Sequence, residues 1–181
     1  MSVYRWYGLS TIKIGATALA SVGNYMPSTF TTIQNFVPDS ARLIFEAPDD
    51  QRIYVEDSND PDITLAGGDA AKTIEFATRD MSLSDTFVLG FGGSTDGTVY
   101  SAPTTSSTLL EKSVEITTKP VNGKYFVMQI PRASLRPSAE LRLYNRNPDT
   151  GEVGFNLTIL KPTTDGGTVV APYKLTAYDE S

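Results

Sequence analysis

The sequence predicts an all-β, mainly antiparallel fold with one short helix. Three observations carry this. Short runs of alternating or β-branched residues are separated by clusters of Gly, Pro, Asn and Asp. Asn122-Gly123 stands between two such runs, a short-range hairpin signal. One stretch, from Ser82 to Phe91, exchanges the two-residue period for a helical one.

The strands are expected near 8–16, 40–47, 51–56, 71–79, 113–119, 123–131, 139–145, 153–161 and 172–178. The first leads from Ile14 into a stretch to Val22 with Gly15, Thr17 and Ser21, read as a strand and loop rather than a leader peptide. In 41–46 the odd positions Ala41, Leu43 and Phe45 are apolar, so one face is expected to be buried. Val114 and Ile116 point inward, with Glu115 and Thr117 outward. Tyr125 to Ile130 is apolar at most positions, as for a central strand covered on both sides. Phe155, Leu157 and Ile159 form one face opposite Asn156 and Thr158. Further hairpins are expected at Asn147–Gly151 and at Asp165-Gly166-Gly167, making 113–178 an antiparallel half.

The helix is expected at about 83–91. Ser82 is its N-cap and Asp85, three residues on, completes a capping box. Leu83, Phe87 and Phe91 give one apolar stripe, and Gly92 follows the last turn. Gly90 counts against the helix, since mid-helix Gly costs roughly 1 kcal/mol relative to Ala. Long loops are expected near 18–35, 48–70 and 94–110 in one domain spanning 1–181.

Composition excludes more than it identifies. The 181-residue chain has no Cys, hence no disulfide, thiolate metal site or Cys nucleophile. It has no His, hence no Ser-His-Asp triad. The net charge of −6 supplies no basic field for sequence-specific DNA binding. No apolar run approaches a bilayer span. Asp57 to Asp62 lacks the spacing, the central Gly and the terminal Glu of a calcium loop. Gly90 to Gly93 lacks the Lys of a phosphate loop. No catalytic set, cofactor site or metal site is expected. Tyr4, Trp6 and Tyr7 form an aromatic cluster that either packs locally or acts as a docking arm.

Charge is asymmetric along the chain. Residues 1–100 carry 6 basic and 13 acidic side chains, and residues 101–181 carry 9 and 8. Glu46, Asp49, Asp50, Glu56, Asp57, Asp60 and Asp62 are opposed only by Arg52. Arg132, Arg136, Arg142 and Arg146 meet only Glu140. The plain reading is a solvated face. The sharper one sets Arg132, Arg136, Arg142 and Arg146 against Glu46, Asp49, Asp50, Glu56 and Asp57 of a neighbouring copy, a head-to-tail contact that generates rings or filaments.

The sequence resembles the major tail, or tail tube, proteins of long-tailed bacteriophages. The resemblance rests on Pro38 to Glu46, Tyr54 to Asp57, Thr73 to Ser82 running into the helix and Gly92-Gly93, and Phe126 to Leu135. It covers about half the chain. It implies a small β-barrel or sandwich with a flanking helix, assembled into stacked hexameric rings within the virion after synthesis in the bacterial cytoplasm. Tail terminator, tape measure and distal tail proteins are the implied partners. DNA passes the lumen without specific binding, and the negative charge opposes sticking. The alternative is a calcium- or carbohydrate-binding β-sandwich of receptor-binding or capsid-decoration type.

Overall fold

The computed structural model describes residues 8–17, 25–45, 51–54, 61–65, 72–104, 110–140, 151–164 and 167–180. In chain order the strands are β1 (Leu9–Ala16), β2 (Thr31–Ile33), β3 (Arg42–Phe45), β4 (Gln51–Tyr54), β5 (Pro61–Leu65) and β6 (Lys72–Thr78). A helix, α1, follows, π-wound over Leu83–Phe87 and α-helical over Val88–Phe91. Then come β7 (Ser94–Thr95), β8 (Tyr100–Ser101), β9 (Leu110–Thr118), β10 (Lys124–Glu140), β11 (Glu152–Ile159) and β12 (Lys174–Asp179). The fold is mainly antiparallel β with one short helix, sandwich-like about one apolar core.

The main sheet runs β2-β1-β9-β10-β11-β6-β3, with β12 also on β10. The segment that follows β2 reaches across to β6. Asn35 takes a left-handed conformation, φ 56°, which short polar side chains tolerate. This turns the chain from β1 toward β6. There Phe36 bridges Thr78, the Val37 N–H donates to the Ala77 carbonyl at 2.9 Å, and the Arg79 N–H donates to the Asn35 carbonyl at 3.0 Å. Backbone pairing thus returns to β6.

The period of two places the core. Ile12 and Ile14 of β1, Val114 and Ile116 of β9, and Val153, Phe155 and Leu157 of β11 are buried together with Ile33, Ile74 and Phe76. Phe76 and Phe155 stack with ring centroids 5.0 Å apart. Asn122 and Gly123, at φ 53° and 71°, make the two-residue turn between β9 and β10. Two consecutive positive φ values fit the right-handed strand twist, and Asn-Gly adopts them at low cost.

Expected strands 123–131 and 139–145 correspond to a single strand, β10, which ends at Glu140; residues 141–150 lie outside the described residues. The joint is a bulge. Ile130 faces Val114 but Ala133 faces Lys112, so Pro131 and Arg132 share one opposite residue. Pro131 has no N–H for a ladder. Its buried carbonyl accepts from the Ser113 hydroxyl at 2.7 Å instead. Across the bulge the far edge of β10 changes partner. Lys124–Gln129 pair with β12, and Ala133–Glu140 pair with β11.

Other expectations are corrected. Of the hairpin expected at Asp165-Gly166-Gly167, Asp165 and Gly166 lie outside the described residues; Thr163 bridges Val169, but β11 and β12 do not pair with each other. The expected loop 48–70 contains the β4–β5 hairpin. The loop 94–110 contains β7–β8, closed by the Asp96 carboxylate accepting from the Thr98 and Val99 N–H groups, which holds it below the usual carboxylate range. The loop 18–35 includes β2 and the buried Tyr25. Phe45 is exposed, because β3 is the last strand of the sheet path and the Tyr173 ring covers that position only in part. β10 is not apolar-covered on both faces: Phe126, Met128 and Ile130 are buried, while Tyr125, Val127 and Gln129 are half-buried.

Helix α1 starts as expected, with the Asp85 N–H donating to the Ser82 hydroxyl oxygen at 3.2 Å. The reciprocal half of the capping box is absent, because Asp80 already accepts from the Ser82 N–H at 3.0 Å. The buried side is Thr86 and Gly90, one residue back from the expected stripe; Leu83, Phe87 and Phe91 are half-buried beside it. Gly90 is explained by close approach: a Cβ there would sit 2.8 Å from the Phe155 ring. Gly92 ends the helix at φ 75°.

Candidate assembly surface

β12 differs from the other long strands. It pairs with β10 through one edge only, from Lys124–Asp179 to Gln129–Lys174. All six of its residues are exposed, so neither face is covered and its second edge has no partner among the described residues. Leu175 is 45% and Tyr178 44% exposed, and Val169 on the approach to β12 is 54% exposed. An alternating strand in water holds its place by backbone pairing and by cross-strand pairs. Here Tyr125 stacks on Tyr178 at 5.4 Å, and Lys124 forms an ion pair with Asp179.

The start of β12 is fixed from the other side. Lys174 Nζ lies 3.9 Å over the Tyr25 ring, whose hydroxyl donates to the Ala171 carbonyl at 2.6 Å. Burial pushes the Tyr25 phenol up to about 12. Phe45 at the end of β3 lies 5.7 Å from Tyr173. Among the exposed apolar groups, Phe45, Leu175 and Tyr178 lie on strands paired on one edge only among the described residues, β3 and β12.

The outer face of β1, β9 and β10 neutralises itself. Lys13 Nζ and Gln129 Nε2 donate to the two oxygens of Glu115 at 2.9 and 3.0 Å. Burial alone would raise that carboxyl; the hydrogen bonds from Gln129 and Lys13 outweigh it and leave it lowered. Arg132 donates from Nε and Nη2 to both oxygens of Glu111, at 2.8 and 2.7 Å. This bond lowers the Glu111 carboxyl and raises the Arg132 guanidinium. The bidentate geometry is of the stronger kind.

Of the residues expected at an interface, Arg132 and Arg136 are described. They lie four apart on β10; Arg132 is engaged by Glu111 within the chain, and Arg136 is exposed. Arg142, Arg146, Glu46, Asp49, Asp50, Glu56 and Asp57 lie outside the described residues, as do Tyr4, Trp6 and Tyr7. Among the described residues no cluster of three or more acidic, His or Cys side chains has metal-binding geometry. No described helix is long and apolar enough to cross a membrane. Sequence reading missed the double exposure of β12. The one available signal was its composition: Lys174-Leu-Thr-Ala-Tyr-Asp has a single aliphatic residue larger than Ala.

No protein-family profile matches the chain, and no curated protein matches it significantly.

Proposed function

We propose that this chain is a structural virion protein that assembles into stacked, hexameric rings forming a phage tail tube. The observation that carries this reading is β12, a six-residue strand with both faces exposed and one edge unpaired among the described residues. Such an edge is a template for another strand, and natural proteins normally blunt it. β12 is not blunted: it holds no Pro, and its one basic residue, Lys174, lies over the Tyr25 ring. A second copy that pairs there removes the edge and places its own side chains beside Leu175 and Tyr178. A head-to-tail contact of this kind, closed by rotation, gives a ring. The net charge of −6 keeps a polyanion passing the lumen from adhering.

Negative-stain microscopy of concentrated protein tests the reading. Rings with a central channel, or tubes built from them, are expected. Particles that stay monomeric and respond to calcium or to a carbohydrate ligand contradict it and favour a binding module.

A further inference from the structure

We propose that an open apolar cleft beside Gly8 seats this chain's own N-terminal aromatic segment, with the Trp6 indole as the ring it takes. The cleft measures about 180 Å³ and lies between β1, β9 and β10 on one side and β3 and β6 on the other. Its apolar lining comes from Leu9, Ala41, Leu43, Ile74, Ile116 and Met128. Ile74, Ile116 and Met128 are core residues, so the cleft opens directly onto the core. A cavity of about 150 Å³ accepts a benzene ring, so there is room for one large aromatic side chain.

The position of the cleft selects the occupant. Gly8 itself lines it, and residues 1–7, which lie outside the described residues, join the chain there. That segment contains Tyr4, Trp6 and Tyr7. Trp6 is two residues from Gly8, a reach of about 7 Å in extended chain. Gly8 has φ 59°, a conformation open to Gly that turns the chain at this point. A group tethered this closely meets the site at high effective concentration, which favours it over a second copy's segment.

Glu75 and Arg42 flank the cleft opposite each other in register, but the Glu75 carboxylate accepts from Asn156 at 3.1 Å on the face away from Ile74, so it is the apolar lining that would receive the ring.

Trp6 is the single tryptophan, so its emission reports on the site alone. The test uses the full chain at dilutions where it is monomeric, and so does not depend on the assembly reading. Trp6 emission is expected to be blue-shifted from that in urea, shielded from a neutral quencher, and independent of protein concentration. Ala41→Phe fills the cleft from an exposed position, and Leu43→Glu places a charge in it. Both are expected to lose the shielding, with the far-UV circular dichroism of Ala41→Phe unchanged. Emission as red and as accessible as in urea overturns the proposal. So does shielding that survives in folded Ala41→Phe, and shielding that appears only as concentration rises assigns the seat to a second copy.

Discussion

β11 and β12 are both antiparallel strands on the same edge of β10, yet they are held in different ways. β11 buries Val153, Phe155 and Leu157 while Gly154, Asn156 and Thr158 stay half-exposed, and it is paired on both edges, by β10 and β6. β12 buries nothing and is paired on one edge. Alternation in sequence reports a strand in both cases. Burial reports whether the molecule itself supplies the second layer. For β11 it does; for β12 the described residues supply none.

The largest expected contrast follows directly. Leu157→Ala removes a fully buried side chain and is expected to cost about 2–5 kcal/mol. Leu175→Ala should change monomer stability by no more than about 0.5 kcal/mol. Denaturant melts of both variants check this, and a costly Leu175→Ala would place β12 in a packed layer after all.

The bulge that divides β10 between the two partners comes next. Ser113→Ala deprives the buried Pro131 carbonyl of its donor and is expected to cost about 1–3 kcal/mol. Ser113→Thr, which keeps the hydroxyl, should recover part of that in the same melts.

Smaller effects belong to α1, which packs beside the second half of β10. Ser82→Ala removes the hydroxyl that accepts from the Asp85 N–H and should cost about 1 kcal/mol. Phe87→Ala should cost more than that but less than the ~3–5 kcal/mol of a fully buried Phe, because Phe87 packs half-buried between Phe91 and Tyr100. Thermal melts rank the two, and both variants should assemble as the wild type does.

The anchor of β12 gives a pH test. The Tyr25 phenol is raised from 10.0 to about 12, so the folded state resists its ionisation. Its contribution to stability is complete below about pH 10 and is lost as pH rises toward 12. Tyr25→Phe removes that alkaline loss along with the bond to Ala171. Melts between pH 9 and about 12 compare the two slopes; equal slopes would mean that Tyr25 is not buried against the β12 approach.

Much of the fold was legible because it rests on local chemistry. Asn122-Gly123 dictated its own turn, Ser82 its own cap, and the inward sets Val114/Ile116 and Phe155/Leu157 their own faces. What escaped depends on contacts distant in sequence. Gly90 argues against a helix until Phe155 is seen against it. Pro131 reads as a strand end until Ser113 is found bonding its carbonyl. The assembly surface was harder still. The charge runs singled out Arg132, which Glu111 engages within the chain, whereas the exposed strand is uncharged but for Lys174 and Asp179, both engaged within the chain. A strand pattern states which residues alternate, not whether either side is covered.

The central claim is that β12 is completed by a second copy. Sedimentation velocity of the wild type and of Leu175→Lys, over the same concentration range, tests it most directly. The wild type is expected to pass from monomer to rings or larger species as concentration rises. Leu175→Lys should stay monomeric with a near wild-type melt. A wild type that sediments as a monomer throughout, or a folded Leu175→Lys that assembles equally well, would contradict it.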